Sequence, residues 1–185
     1  MDIGVIAEEE NDFEVLAAFT SKLINPRRYA FKPLYGHGCG KLRRKCAAWA
    51  TNLVRRGCKA LIVLHDLDDR NEQTLRQELA SELGGSGCSN QVILIPIYEI
   101  EAWLLSDPIA IKIAFRMKMI PKTPGNPEHI CHPKEHLRNI VWKNCKKRYL
   151  NTIHNEKIAQ AARIHLVEIC SSFRQYPEFL RSIFR

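Results

Sequence analysis

Three short apolar runs constrain this chain more than any other feature. They are DIGVIA (residues 2–7), KALIVLHD (59–66) and QVILIPIY (91–98). Each is apolar at consecutive positions instead of alternating, and each is too short for a buried helix. A strand with one wet face alternates; a strand covered on both faces does not, and such strands belong to parallel sheets. The segments between them carry helical spacing. Residues 12–24 (DFEVLAAFTSKLI) follow Asn11 and Asp12, either of which can cap a helix. Residues 41–56 (KLRRKCAAWATNLVRR) form a basic amphipathic helix ended by Gly57, and residues 70–83 a polar-faced one before GGSGCSN. Residues 28–34 (RYAFKPL) supply one more strand, which Pro33 confines to an edge. The alternation predicts an α/β fold, with a mostly parallel central sheet and flanking crossover helices.

A helix starts in EIEAWLLSD, and beyond residue 107 the strand signals stop. Helices are expected over 108–118, 133–143, 156–170 and 177–184, with TPGNPEHICHP a proline-punctuated loop. We therefore expect an α/β core over residues 1–107 and a helical extension over 108–185, packed on the same domain as a C-terminal cap.

At 45% apolar, the 185 residues can build a real core. No apolar run approaches the roughly 18 residues of a membrane helix. MDIGVIA leads straight into Glu8, Glu9 and Glu10, unlike a signal peptide, so a cytoplasmic protein is expected. Seven cysteines, an odd number with no CxxC pair, fit a reduced compartment and small buried apolar roles. Formal net charge is +8. Acid gathers at 8–14, 66–72 and 99–107, whereas base gathers at 41–56 and 143–148. A basic body around acidic pockets suits a polyanionic substrate, with Lys41, Arg43, Arg44 and Arg70 as candidate nucleic-acid contacts. Ordinary solvated helix faces give the same counts.

The acids stand where chemistry is expected. Open parallel sheets bind ligands beyond the carboxyl ends of their strands. Glu8 closes the first strand; Asp66 and Asp68 close LIVLH, with Asp69 behind them. Strands about 4.8 Å apart can bring these carboxylates to one ion. Mg²⁺ takes oxygen ligands, typically one or two carboxylates plus water and substrate phosphate. Two carboxylates about 4 Å apart repel by roughly 4 kcal/mol at an effective dielectric near 20, which a cation or a shared proton relieves. Residues i and i+2 at a strand end point to one side, as Asp66 and Asp68 need to. The alternative is that Asp66 to Arg70 merely turn the chain and cap the next helix. Glu99 and Glu101, after the last strand, could serve a second metal about 3.5–4 Å from the first; acids also favour helix starts for dipole reasons alone. Lys134, after Pro133, could neutralise charge on a pentacovalent phosphate, or be a solvated lysine.

The segment IAEEENDFEVL resembles the opening of the Toprim family: a strand, a Glu at its end, and an acid four residues on before an apolar helix. LIVLHDLDDR resembles the second Toprim motif, a strand followed by DxD. This likeness covers about the first hundred residues. The family usually has Gly after the first Glu, where this chain has Glu9. IYEIEAWLLSD, NPEHICHPKEHL and CSSFRQYPEFL are similar to small bacterial Toprim-like proteins encoded beside ABC-type ATPases and associated with anti-phage defence. The resemblance, which includes nucleases of the OLD type, implies an Mg²⁺-dependent nuclease, with Mn²⁺ substituting. It implies that Glu8 is a metal ligand or general acid/base and that Asp66 and Asp68 hold the metal. It also implies a nucleic-acid substrate and an ABC-type ATPase partner, and leaves room for a homo-oligomer. Two alternatives stay open. One is a catalytically weak Toprim-fold regulatory or nucleic-acid-binding subunit of an ATPase complex. The other is a receiver-like phosphoacceptor, which needs a lysine after its last strand.

Other signals are weaker. GHGCGK lacks phosphate-loop spacing and has Leu42 where Ser or Thr belongs. His129, Cys131, His132 and His136 match no standard zinc spacing. His65 is either a packed strand-end histidine or a rim residue. Trp49 and Trp103 fall on core faces, and Tyr149 and His154 are candidates to approach a substrate.

Overall fold

The computed structural model describes residues 1–36 and 39–185; the discounted GHGCGK segment includes His37 and Gly38, which lie outside the described residues. Strands β1 (Asp2–Ala7), β2 (Ala30–Tyr35), β3 (Ala60–Leu64) and β4 (Gln91–Leu94) form one sheet in the order β2-β1-β3-β4. All three pairings are parallel, with Val5 beside both Pro33 and Ile62. Pro33 lies in an edge strand, as its missing donor requires.

Helices α1 (Glu10–Leu23), α2 (Cys39–Arg55) and α3 (Glu72–Gly84) connect the strands. Alternation along β3 explains its unbroken apolar run. Ala60, Ile62 and Leu64 join a core with Leu16 and Phe19 of α1. Leu61 and Val63 join a second core with Leu53 of α2 and Leu75 and Leu79 of α3. Thus α1 covers one face and α2 and α3 the other. The chain leaves β1 toward β2 and then crosses back to β3, so the topological switch lies between β1 and β3. Gly4 permits close approach on the α2 face. A Cβ there would meet Leu61 Cδ2 at 2.7 Å and Leu53 Cδ1 at 2.9 Å.

Six more helices follow among the described residues: α4 (Glu101–Leu105), α5 (Pro108–Phe115), α6 (Pro133–Cys145), α7 (Asn151–Ala161), α8 (Ile164–Val167) and α9 (Gln175–Ile183). They pack on the α1 face, and the apolar core runs from β1 and α1 through Trp103 and Ile158 to Tyr176. Edge-to-face contacts knit it, with Phe173 5.2 Å from Phe19 and 5.1 Å from Trp103. Trp103 is wholly buried and its Nε1 donates to Ser172 Oγ at 2.8 Å. Trp49 is half-buried against the second core.

Three boundaries differ from the sequence expectation. Helix α1 is capped by Glu9, whose N–H donates to Asp12 Oδ2 at 3.1 Å, so Asp12 reaches back from the first turn instead of standing at the cap. Strand β4 ends at Leu94, because Pro96 and a left-handed Tyr98 (φ +61°) follow. The helix expected over 156–170 is two helices, α7 and α8. The break comes where Arg163 N donates to Asp107 Oδ2 at 3.0 Å. Three of the six cysteines with described side chains, Cys46, Cys58 and Cys170, are buried and Cys131 is exposed. Among the described residues no helix is long and apolar enough to cross a membrane.

Candidate active site

Strands β1 and β3 run side by side, Ile6 opposite Val63, into the switch crevice. Glu8 and Asp66 emerge there and are tied together. Asp66 N donates to Glu8 Oε1 at 3.1 Å, and His65 Nδ1 lies 2.8 Å from the same oxygen and 2.7 Å from Asp66 O. A proton on Nδ1 serves both contacts, while Nε2 finds no partner in the core. Burial pulls the His65 imidazole down, but the hydrogen bond and charge of Glu8 outweigh it and leave it raised. His65 is thus both packed and attached to the site.

A cavity of about 160 Å³ opens at this edge, and the carboxylates of Glu8, Asp12, Asp66, Asp68, Glu99 and Glu101 line it. Glu9, Asn11, Lys134 and Asn151 complete its wall. Every acid predicted as a metal ligand is present, together with Lys134. The route is not simple strand alternation, because β3 stops before Asp66. Asp68 instead adopts a left-handed backbone (φ +49°), as does Tyr98 on the neighbouring segment. Leu67 N donates to Pro96 O and Asp68 N to Tyr98 O, each at 3.0 Å, so the two turns are paired beyond the strands. Left-handed conformations are uncommon for residues other than glycine, and clusters of them mark functional sites.

The helical extension closes the cavity. Glu101, 3% exposed in the first turn of α4, accepts from Tyr149 OH at 2.8 Å and Asn155 Nδ2 at 3.1 Å. Glu99 Oε2 accepts the backbone N–H of Lys134 at 2.8 Å, at the start of α6. Tyr149 is therefore a buried support for Glu101, and His154 stacks on Phe115 at 4.5 Å behind it. Asn11, read from the sequence only as a helix cap, and Asn151 carry no sequence signal for a site. They reach the cavity because α7 packs on α1.

The electrostatics are one-sided. Burial pushes the Asp66 carboxyl well above its usual range, and Asp12, Glu101, Glu8 and Asp68 push it further. Burial, and then the charge of Glu101, brings Asp12 to about 7. Burial and Glu8 raise Asp68. Burial raises Glu99 although Lys134 opposes it. The cavity is lined by oxygen donors without imidazole or thiolate, the donor chemistry of a hard cation such as Mg²⁺ or Mn²⁺. Among the described residues no three His, Cys, Asp or Glu groups are already close enough to hold a metal ion. A cation there would require these side chains to draw closer together.

The basic candidates lie around the same sheet edge, where α2 and α3 begin. Arg43 and Arg70 share Glu78, at 3.0 and 3.2 Å, and Arg44 Nε donates to Gly40 O at 3.0 Å. Lys41 is half-buried. A larger cavity, about 820 Å³, lies between α2 and α3, but there Arg43 and Arg44 stand beside Glu78 and Glu82. Charges there are already matched, unlike those of the smaller, acid-lined cavity. His129, Cys131, His132 and His136 line an open depression beside α6.

The sequence model of a family described as Domain of unknown function (DUF4276) matches residues 13–181. Neither the curated proteins nor the solved structures contain a match to the chain.

Proposed function

The chain belongs to the DUF4276 family, and we propose, from its own site, that it is an Mg²⁺-dependent nuclease hydrolysing phosphodiester bonds of DNA or RNA. One observation carries this reading: seven acidic residues from separate turns and helix starts converge with one lysine at the switch point of a parallel sheet. Glu8, Asp12, Glu99 and Glu101 each accept hydrogen bonds, yet all of them face one cavity together with Asp66, whose carboxyl accepts none among the described residues. Glu8, Asp66 and Asp68 would hold the first metal, and Asp12, Glu99 and Glu101 a second. The bound metal would supply positive charge to the phosphate oxygens and make water easier to deprotonate. The likeness of Glu8, Asp66 and Asp68 to the Toprim motif supports the same assignment.

The chain's own groups have definable parts in the hydrolysis. Glu8 Oε1 is fixed by Asp66 N and His65, which leaves Oε2 either to hold the metal or, where a metal-bound water is the nucleophile, to take its proton. Among the described residues Lys134 is the one cation lining the cavity, and it balances the charge that grows on the phosphate. Tyr149 and Asn155 hold Glu101 so that its second oxygen can face the cavity.

The direct test incubates purified protein with labelled DNA and RNA, with Mg²⁺, Mn²⁺ or EDTA, against Asp66→Ala. Cation-dependent cutting by the wild type alone supports the proposal; equal cutting by both proteins sinks it. Co-expression with a neighbouring ABC-type ATPase tests the alternative, since a stable complex without cation-dependent cutting favours a regulatory subunit.

A further inference from the structure

We infer that the cavity between α6 and the start of α7 is a phosphate subsite, which holds the backbone phosphate next to the one being cut. It has a volume of about 330 Å³ and is lined by Lys134, Arg138, Arg148, Tyr149, Leu150 and Asn151. Three of the six are cations and none is an acid. Lys134 and Asn151 also line the carboxylate cavity, so the two share a wall. The substrate named here rests on the nuclease reading; the basic cavity does not.

The three cations are uncommitted. Arg43, Arg70, Arg76, Arg163 and Lys32 all hold carboxylates. Lys134, Arg138 and Arg148 make no ion pair among the described residues. Lys134 and Arg138 stand one turn apart on α6 and share a face. The neighbouring cations are turned to other uses. Lys146 Nζ sits over the Trp142 ring at 5.5 Å, and Lys147 Nζ donates to Phe115 O at 2.6 Å. Arg148 alone of this run lines the cavity. The segment is held in place by Tyr149, whose OH is fixed on Glu101 and Asn155. Helix α7 then begins with no side-chain cap, adding the positive end of its dipole.

Juxtaposition gives the assignment its sense. The seven acidic residues repel a phosphodiester strand until a cation arrives. An adjoining cavity of three unpaired cations attracts the next phosphate of that strand independently. Recognition then requires two successive phosphates, one at the acids and one at the bases.

The test measures binding of a fluorescent single-stranded octanucleotide in EDTA, where no cutting occurs. It compares the wild type with Arg138→Gln/Arg148→Gln and with Arg55→Gln/Arg56→Gln, at the far end of α2. The first double variant is expected to lose at least tenfold in affinity, and its salt dependence to become shallower by about 0.7, the slope of one phosphate contact on a single strand. Its melting temperature and Mn²⁺ affinity stay at wild-type values. The control variant changes less than threefold. Equal binding by wild type and Arg138→Gln/Arg148→Gln, or an equal loss in the control, overturns the subsite. Inorganic phosphate binding as tightly as the octanucleotide overturns the assignment to a strand. A wild type that binds through this cavity but never cuts overturns the nuclease reading and leaves the subsite standing.

Discussion

Asp107 and Asp66 are both enclosed acids in opposite electrostatic situations. Asp107 is fully buried in the helical half, and every oxygen is used. Oδ1 accepts from Ile109 N, Ala110 N and Arg163 Nη2; Oδ2 accepts from Arg163 N and Nε, at 2.9 to 3.3 Å throughout. Burial pushes its carboxyl up, but the hydrogen bonds from Arg163 and Ala110 outweigh it and hold the group below its ordinary value. Glu128 is handled in the same way, accepting from the backbone and hydroxyls of Ser171 and Ser172 at 2.6 to 3.0 Å. The Asp66 carboxyl accepts no hydrogen bond among the described residues and faces Asp12, Glu101, Glu8 and Asp68. Acids in the helical half are joints. Acids at the sheet edge are gathered against their mutual repulsion and burial, which raise Asp66, Asp12 and Asp68, a cost that the proposed cation would offset.

Four measurements break or sharpen this contrast. The largest effect is expected from Asp66→Asn. Cation-dependent cutting falls on the order of 10³-fold in a single-turnover assay, comparable to loss of a major electrostatic group, while the apo melting temperature stays level or rises. A fall in stability without loss of cutting would make Asp66 a joint like Asp107. Next is Asp107→Ala, which removes an N-cap and a charge-assisted pair and should cost about 3 kcal/mol in denaturant unfolding. Cutting per folded molecule stays intact. Unchanged stability would erase the distinction from the other side.

The third is pH. Asp12 is raised from 3.8 to about 7. Its contribution to stability is fully present below pH 4 and is lost as pH climbs through about 7, since the unfolded chain ionises first. Apo protein should therefore melt lower at pH 8 than at pH 5. Mg²⁺ should raise the melting temperature more at pH 8 than at pH 6, because protons compete for the same oxygens. Asp12→Asn should flatten both trends; identical profiles in variant and wild type would exclude Asp12 as their source. The smallest effect is expected from Tyr149→Phe, which lies between the two regions. Loss of its hydroxyl from Glu101 and Asn155 should cost about 1 kcal/mol and weaken Mn²⁺ binding several-fold in calorimetry. A loss of stability with unaltered Mn²⁺ affinity would assign Tyr149 to the core alone.

The sheet was legible because burial on both faces writes itself as an apolar run. The end of β4 was less so, since IPIY reads as strand until Tyr98 is seen in a left-handed turn. The break between α7 and α8 carries no glycine or proline; it is made by Asp107, some 56 positions earlier. At the site, Glu8, Asp66, Asp68, Glu99 and Glu101 were legible from their places after strands. Asp12 was visible as the acid four residues past Glu8, although its reach back to Glu9 was not. Asn11 read only as a helix cap and Asn151 was silent, because a short amide at a helix start says nothing of a cavity until a second helix lies across it. Arg148 read only as part of a basic run and Arg138 was silent, since their shared cavity exists only after α6 and α7 fold together.

Pro33 has a consequence of its own. Ala30 N and Gly36 N donate to Met1 O and Ala7 O, so even-numbered amides of β2 point inward and odd-numbered ones outward. The outward row therefore has a gap at its centre, where Pro33 has no hydrogen to give. A strand arriving from another molecule would find that ladder interrupted, which protects the protein from templated aggregation along this rim. Copies that met along this rim would have to use side-chain surfaces, not an extended sheet.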